Sequence, residues 1–244
     1  MTTSQNFRQI QDKIIRDLDF PKWYRSYKWI DDTWERGFPD LLRLEKEISA
    51  AARNNSLRRD HLVNIAKWGK LPNIHQISCP DPIKIQLYQN NLPVGWIVNE
   101  PQSAISQLRY QIQGFGPTYM SKLLHFSVPQ VFGALDTRLV RIFGEKAEKY
   151  PLLNLSAQEV TKGRWAIPAT QAGWPGEYGT WVKILKFTSD YLNSNQIMCP
   201  HPEPYIQSGL RTKGIWLPAD VETALFAYAS HEIEEKNRLG IIAE

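Results

Sequence analysis

Apolar residues recur three or four positions apart in five stretches of this chain, and prolines or glycines punctuate most of them. No stretch alternates apolar and polar residues as a half-buried strand must. Pro39 opens the first run, with Leu41, Leu42, Leu44 and Ile48 on one face. Ser56 is placed to cap a second run, whose face is Leu62, Ile65 and Ala66 and whose stop is Gly69. Ile105, Leu108 and Ile112 form a third stripe, predicted to stay helical to Gln113 and to end at Gly114. Trp181, Ile184, Leu185, Thr188 and Tyr191 form a fourth, and Val221, Leu225 and Tyr228, just after Pro218, a fifth. Residues 70–100, with Pro72, Pro80, Pro82 and Pro93, fit neither period and read as irregular with short elements at most. Residues 198–218, with Pro200, Pro202, Pro204, Gly209 and Gly214, read as a connector packed on the surface. The pattern predicts an all-α fold forming one compact unit over residues 1–244.

Composition removes whole classes. Apolar residues are 42% and charged residues 22% of the 244 positions, an ordinary globular balance. No run approaches the roughly 20 apolar residues of a membrane span, so no membrane partner is expected. Met1 to Ile10 is polar, which predicts no secretory leader. Cys79 and Cys199 lie far apart, which argues against a disulfide framework and a Cys-rich metal site and points to a reducing cytoplasm. His61, His75, His201 and His231 show no metal-ligand spacing, and there is no HExxH or phosphate-loop pattern. Neither metal nor cofactor is expected.

Charge placement says more than the net of +4. Residues 1–60 carry 12 basic and 10 acidic groups, residues 61–144 carry 7 and 3, and residues 145–244 carry 10 and 12. The excess therefore lies in the middle third, which suits either a polyanion docking there or a solvated surface with ordinary charge scatter.

The middle third holds the most informative segment, Gln111 to Gly144. Gly114-Phe115-Gly116 separates two helical stripes, and Pro117 suits the first turn of a helix running to Phe126. Two glycines permit a tight interhelical turn through positive φ. Phe115 can plug the gap between the helices, and the turn's N–H groups can meet a phosphate. After Pro129 and Gly133, Leu135-Asp136 opens a helix with Leu139, Val140, Ile142 and Phe143 on its inner face. There Asp136 can act as an N-cap, favoured by unpaired N–H groups and the helix dipole.

These pieces, GFGPTYMSKLLHF, the loop with Pro129 and Gly133, and ALDTRLVRIFG, resemble the helix-hairpin-helix, Gly/Pro-Asp superfamily of DNA glycosylases. More narrowly they resemble bacterial proteins with the 8-oxoguanine DNA glycosylase fold. AGWPGEY at 172–178, WLPADVETALF at 216–226 and Trp68-Gly69 are fainter echoes. The resemblance implies a helical glycosylase-like fold, with the helix-hairpin-helix and Gly/Pro-Asp element at 101–144. It implies a duplex with a modified base as partner, with Gly114, Phe115, Gly116, Thr118, Arg138 and Arg141 at the DNA backbone. Asp136 falls on the family's catalytic aspartate, which stabilises positive charge on the deoxyribose as the base leaves. The family's iron–sulfur branch is excluded, because two cysteines cannot bind a four-cysteine cluster.

Superfamily members that also cut the strand use a lysine that attacks C1′. Its common place, two residues after the second hairpin glycine, is here Thr118. Lys122 lies one helical turn later on the same face, in a Tyr119-x-x-Lys122 setting similar to that of the archaeal 8-oxoguanine branch. Burial beside apolar groups such as Leu123 and Leu124 would lower its pKa toward a reactive amine. The alternatives are a phosphate contact or a solvent-facing side chain.

A base pulled from the stack needs aromatic walls, for which Trp68, Trp96, Trp165 and Trp174 are candidates. Glu222 and Phe226 stand four apart on the last helix and share a face; the carboxylate could accept the two N–H donors of a guanine edge while the ring stacks on it. The plainer alternative is a solvent-facing Glu222. His125 reads as a core or surface histidine, and Arg138 and Arg141 either reach phosphates or pair with Glu145. The expectation is a glycosylase with AP-lyase activity on 8-oxoguanine or another modified guanine. Proteins of this fold also occur in bacterial anti-phage operons. A non-catalytic or repurposed nucleobase-recognition protein, working with partner proteins of such an operon, therefore stays open, as does a structural interaction protein.

Overall fold

The computed structural model describes residues 3–239; the first two and last five positions of the expected 1–244 unit, including part of the polar Met1–Ile10 stretch, lie outside them. The chain is helix-dominated. It opens with α1 (Thr3–Asp17) and α2 (Phe20–Arg25), then a hairpin of β1 (Lys28–Trp29) and β2 (Asp32–Thr33), then α3 (Pro39–Arg53) and α4 (Arg59–Trp68). A second hairpin, β3 (Tyr88–Gln89) with β4 (Leu92–Pro93), leads to α5 (Gly95–Asn99) and α6 (Gln102–Arg109). After α7 (Pro117–Ser127) and α8 (Thr137–Phe143) comes a third hairpin, β5 (Gln158–Thr161) with β6 (Arg164–Ala166). The chain ends with α9 (Gly176–Ser194), α10 (Glu203–Gln207) and α11 (Pro218–Arg238). All three hairpins are antiparallel and two-stranded, too small to set the class; the sequence pattern allows short elements only over residues 70–100, where the second hairpin falls, and gives no sign of the other two.

Two helices organise the core. α7 packs against α3, α4 and α6, while α11 packs against α2, α8 and α9. Prolines in the first turns of α3, α7 and α11 start these helices where no intrahelical N–H partner exists anyway. Leu41, Leu44 and Ile48 of α3 and Val221, Leu225 and Tyr228 of α11 are buried as their spacing predicts. No helix among the described residues is long and apolar enough to cross a membrane.

Four local expectations are corrected. Ser56 does not cap α4: its hydroxyl donates to Ala51 O, and the N-cap is Arg58. α6 stops at Arg109, and Gln113 instead bridges antiparallel to Ser78, so Ile112 is buried outside any helix. On α9 the inward residue is Leu192, while Tyr191 is exposed. The 198–218 connector is no surface strap, because Cys199, His201, Tyr205, Arg211 and Trp216 are all buried. Its many prolines signalled irregularity correctly, but irregular backbone can still carry core side chains.

Candidate active site

Three helices converge on one point. α7 presents Lys122 and His125, three apart and thus on one face. α8 is capped by Asp136, and α11 presents Glu222 and Phe226. The segment before α8 is pinned from two sides. Ser121 Oγ accepts Leu135 N at 2.8 Å and donates to Thr118 O at 2.8 Å. From α9, Trp181 Nε1 donates to Ala134 O at 2.9 Å and Tyr178 Oη to Gly133 O at 3.2 Å. Gly133 is required for closeness: a Cβ there would lie 2.7 Å from Glu222 Cβ and 2.4 Å from Leu185 Cδ1. A bulkier residue would push α11, and Glu222 with it, away.

Asp136 has two oxygens with two tasks. Oδ1 accepts Arg138 N at 2.9 Å and caps α8. Oδ2 lies 3.8 Å from Lys122 Nζ, an ion-pair distance longer than a hydrogen bond. Capping and facing the amine are therefore compatible. Lys122 is 7% exposed, which removes the solvent-facing alternative. Its pKa is lowered, chiefly by burial; Asp136 and Glu222 pull it back up and Arg138 pushes it further down. The burying groups are aromatic rather than the adjacent leucines. Nζ lies 4.9 Å from the Trp68 ring centroid, 5.2 Å from that of Tyr119 and 5.7 Å from that of Trp29.

Each wall of this cage is held by its polar tip. Trp68 Nε1 donates to Asp32 Oδ2 at 2.8 Å, while Asp32 Oδ1 accepts Asp40 N and Leu41 N at the start of α3. Trp29 Nε1 donates to Trp68 O at 3.1 Å, and Tyr119 Oη to Gly69 O at 2.6 Å. Sequence reasoning found Trp68 but missed Trp29, Tyr119 as a wall, and Asp32 as their anchor. Trp29 rides on a two-residue strand that carries no periodic signal.

The amine stands where two spaces meet. Outside is a groove of about 750 Å³ running past Gly116, Thr118, Arg138, Arg141, Arg164 and Lys236. Inside is a pocket of about 20 Å³, room for about one water, lined by Trp68, His125, Glu222 and Phe226 among others. Trp29, Lys122 and Asp136 border both. Of the expected backbone-binding residues, Gly116, Thr118, Arg138 and Arg141 line the groove, whereas Gly114 lies outside it and Phe115 is buried, 5.6 Å from Tyr119. Only Gly114 uses positive φ (+76°), and a Cβ there would meet Gln76 O at 2.8 Å; Gly116 sits at −84°, so one glycine rather than two makes the turn.

Arg138 and Arg141 do not pair with Glu145. Arg138 donates to Ser230 Oγ at 3.1 Å and lies over Trp29 and Phe226 at 5.2 and 5.3 Å. Arg141 stacks on Trp165 of β6 at 4.2 Å. Trp165 therefore joins the groove wall with Arg164, which the sequence did not single out. Trp174 is buried beside Tyr178, and Trp96 packs on the core; neither lines the groove or the pocket.

Glu222 is 6% exposed, which removes its solvent-facing alternative. His125 Nδ1 lies 3.2 Å from Glu222 Oε2, but ring and carboxylate are not aligned for a hydrogen bond. No hydrogen bond to Glu222 comes from any described residue. A second buried polar group includes Cys199, His201 and Asp220, with ligand atoms within 4.8 Å of one another. Its donors are already used: Asp220 holds Arg211 and Leu217 N, and His201 Nε2 meets Ile215 O at 2.8 Å. No protein-family model matches the chain, and no curated protein or solved structure matches it.

Proposed function

We propose that this chain is a DNA glycosylase with an AP-lyase step, excising 8-oxoguanine or another modified guanine. The carrying observation is Lys122, a buried amine of lowered pKa, 3.8 Å from Asp136 at the junction of a basic groove and an aromatic pocket. The groove's Arg138, Arg141, Arg164 and Lys236 suit a phosphate backbone. The pocket's Trp68 and Phe226 suit a base's faces, and Glu222 suits the N1–H and N2–H of a guanine edge. Because the pocket now has room for about one water, a base enters only if a wall yields. Trp29, partly exposed on its short hairpin and shared by both spaces, is the wall best placed to do so.

In this reading neutral Lys122 Nζ bonds to C1′ as the C1′–N bond breaks. The bonding pair leaves with the base, which takes up a proton. Asp136 stabilises the positive charge on the sugar and then accepts the proton that the new C1′–N link must shed. The sugar ring opens as O4′ takes up a proton, giving a Schiff base; loss of a C2′ proton to the departed base or to water then breaks the C3′–O bond and releases the 3′ phosphate. Such preorganised electrostatic stabilisation contributes about 10²–10³ in rate.

Borohydride trapping on a duplex containing 8-oxoguanine tests this. Wild type should form a covalent adduct, Lys122→Gln none, and Asp136→Asn much less while still binding DNA. An adduct that persists in Lys122→Gln moves the nucleophile elsewhere. No adduct and no base release across a lesion panel leaves a nucleobase-binding module on the same scaffold.

A further inference from the structure

Buried polar atoms in folded proteins nearly always find partners, and those that do not call for an explanation. One occurs at the floor of the inner pocket. His125 Nδ1 is fully buried with no hydrogen-bond partner, 3.2 Å from Glu222 Oε2, and Glu222, itself 6% exposed, receives no hydrogen bond from the described residues. Both line the cavity that Trp68 and Phe226 wall. Glu222 lines the pocket, and an unpartnered carboxylate in so enclosed a site is best completed by N–H donors, His125 on one side and an incoming ligand on the other.

We infer that His125 is a positioning residue that sets Glu222 as an acceptor-only floor, making the pocket select a heterocycle with two adjacent N–H donors. The proton is assigned to the nitrogen facing the carboxylate, Nδ1, where a small rotation completes a hydrogen bond to Oε2; Nε2 is then an acceptor. With Oε2 engaged, the remaining lone pairs of Glu222 meet incoming donors. An edge whose second position lacks a donor leaves the carboxylate short of one partner. His125 and Lys122 share the α7 face, so the same helix sets both the reading group and the attacking amine. The activity arm of the test rests on the glycosylase reading; the binding arm does not.

The probes are 9-methylguanine, with two adjacent donors, and 9-methylhypoxanthine, with one. Binding is followed by quenching of Trp29 and Trp68, and excision is followed on duplexes carrying 8-oxoguanine or 8-oxohypoxanthine, with kcat and KM separated. A hydrogen bond to a charged group predicts that wild type prefers the two-donor base by about 10- to 100-fold. His125→Phe should cut that preference to about threefold or less, mainly through binding and KM. His125→Asn, which keeps an N–H beside the carboxylate, should retain most of it. A merely structural histidine would change the melting temperature and leave the preference alone. If His125→Phe does not fold, Glu222→Gln serves: its amide donor opposes a ring N–H, so the preference must vanish. Equal binding of the two bases, binding of neither, or a preference that survives His125→Phe or Glu222→Gln overturns the inference. Preferential binding without excision instead removes the glycosylase reading and leaves the pocket's selectivity standing.

Discussion

Asp220 and Glu222 stand two residues apart on α11 and so face different sides of it, and the two sides hold opposite kinds of buried charge. On the first, Arg211 Nε donates to Asp220 Oδ1 at 2.8 Å, Arg211 Nη2 to Glu45 Oε2 at 2.9 Å, and Arg211 Nη1 to Glu45 Oε1. Asp220 Oδ2 also accepts Leu217 N at 2.8 Å. Burial works against the arginine's charge, but Asp220 and Glu45 outweigh it and raise its pKa well above the usual value. On the second side, Lys122 stays 3.8 Å from Asp136, and burial wins. The first cluster ties α3, the 210–217 segment and α11 together with nothing left over. The second leaves an amine, a carboxylate oxygen and a glutamate free to meet something else.

Substitutions should separate the two. Lys122→Met should remove all borohydride-trapped adduct while leaving the fold intact in circular dichroism, since an apolar chain suits the aromatic cage. Arg211→Met should do the reverse. It strands Glu45 and Asp220 without a counter-charge, costing about 3–5 kcal/mol, or about 6–20 °C in melting temperature for a chain of this size. A cost below 1 kcal/mol would erase the contrast.

Asp136→Asn should lower the single-turnover rate by about 10²–10³ but destabilise little, because asparagine caps a helix about as well as aspartate. A rate loss that merely followed the melting temperature would reduce Asp136 to a cap. The pH profile sharpens the comparison further. On the proposed reading Lys122 attacks as the free amine, so the rate should rise with pH through an inflection below 10.5, the ordinary lysine value. Arg138→Gln removes a like charge and should move that inflection upward. Between the lowered pKa and 10.5 the unfolded chain binds more protons than the folded one, so stability rises with pH relative to Lys122→Met. No such rise would mean that the amine is protonated and paired like Arg211. The smallest effect is Arg164→Ala, which should weaken DNA binding and reduce the salt slope by about one phosphate contact.

The sequence expressed the helices well and their surroundings poorly. Pro39, Pro117 and Pro218 marked three helix starts because proline's fixed φ and missing N–H act locally. Asp136 at the head of α8 was legible for the same reason, as was the shared face of Glu222 and Phe226. Ile112 misled, since an apolar residue at helical spacing is buried as readily after a helix ends. The 198–218 segment misled more, because proline density reports backbone irregularity and not depth.

What the sequence determined by itself was therefore local: helix-dominated class, the turn at Gly114, the cap at Asp136, and Lys122 one turn beyond Thr118. Tertiary structure alone decided that Lys122, already beside Tyr119 on α7, is caged by Trp29 and Trp68 from two other segments, and that His125 faces Glu222 from 97 residues away. The reason is physical. Capping and periodicity depend on neighbours within a turn or two, whereas desolvation, which lowers the amine's pKa, depends on whatever the rest of the chain packs around it.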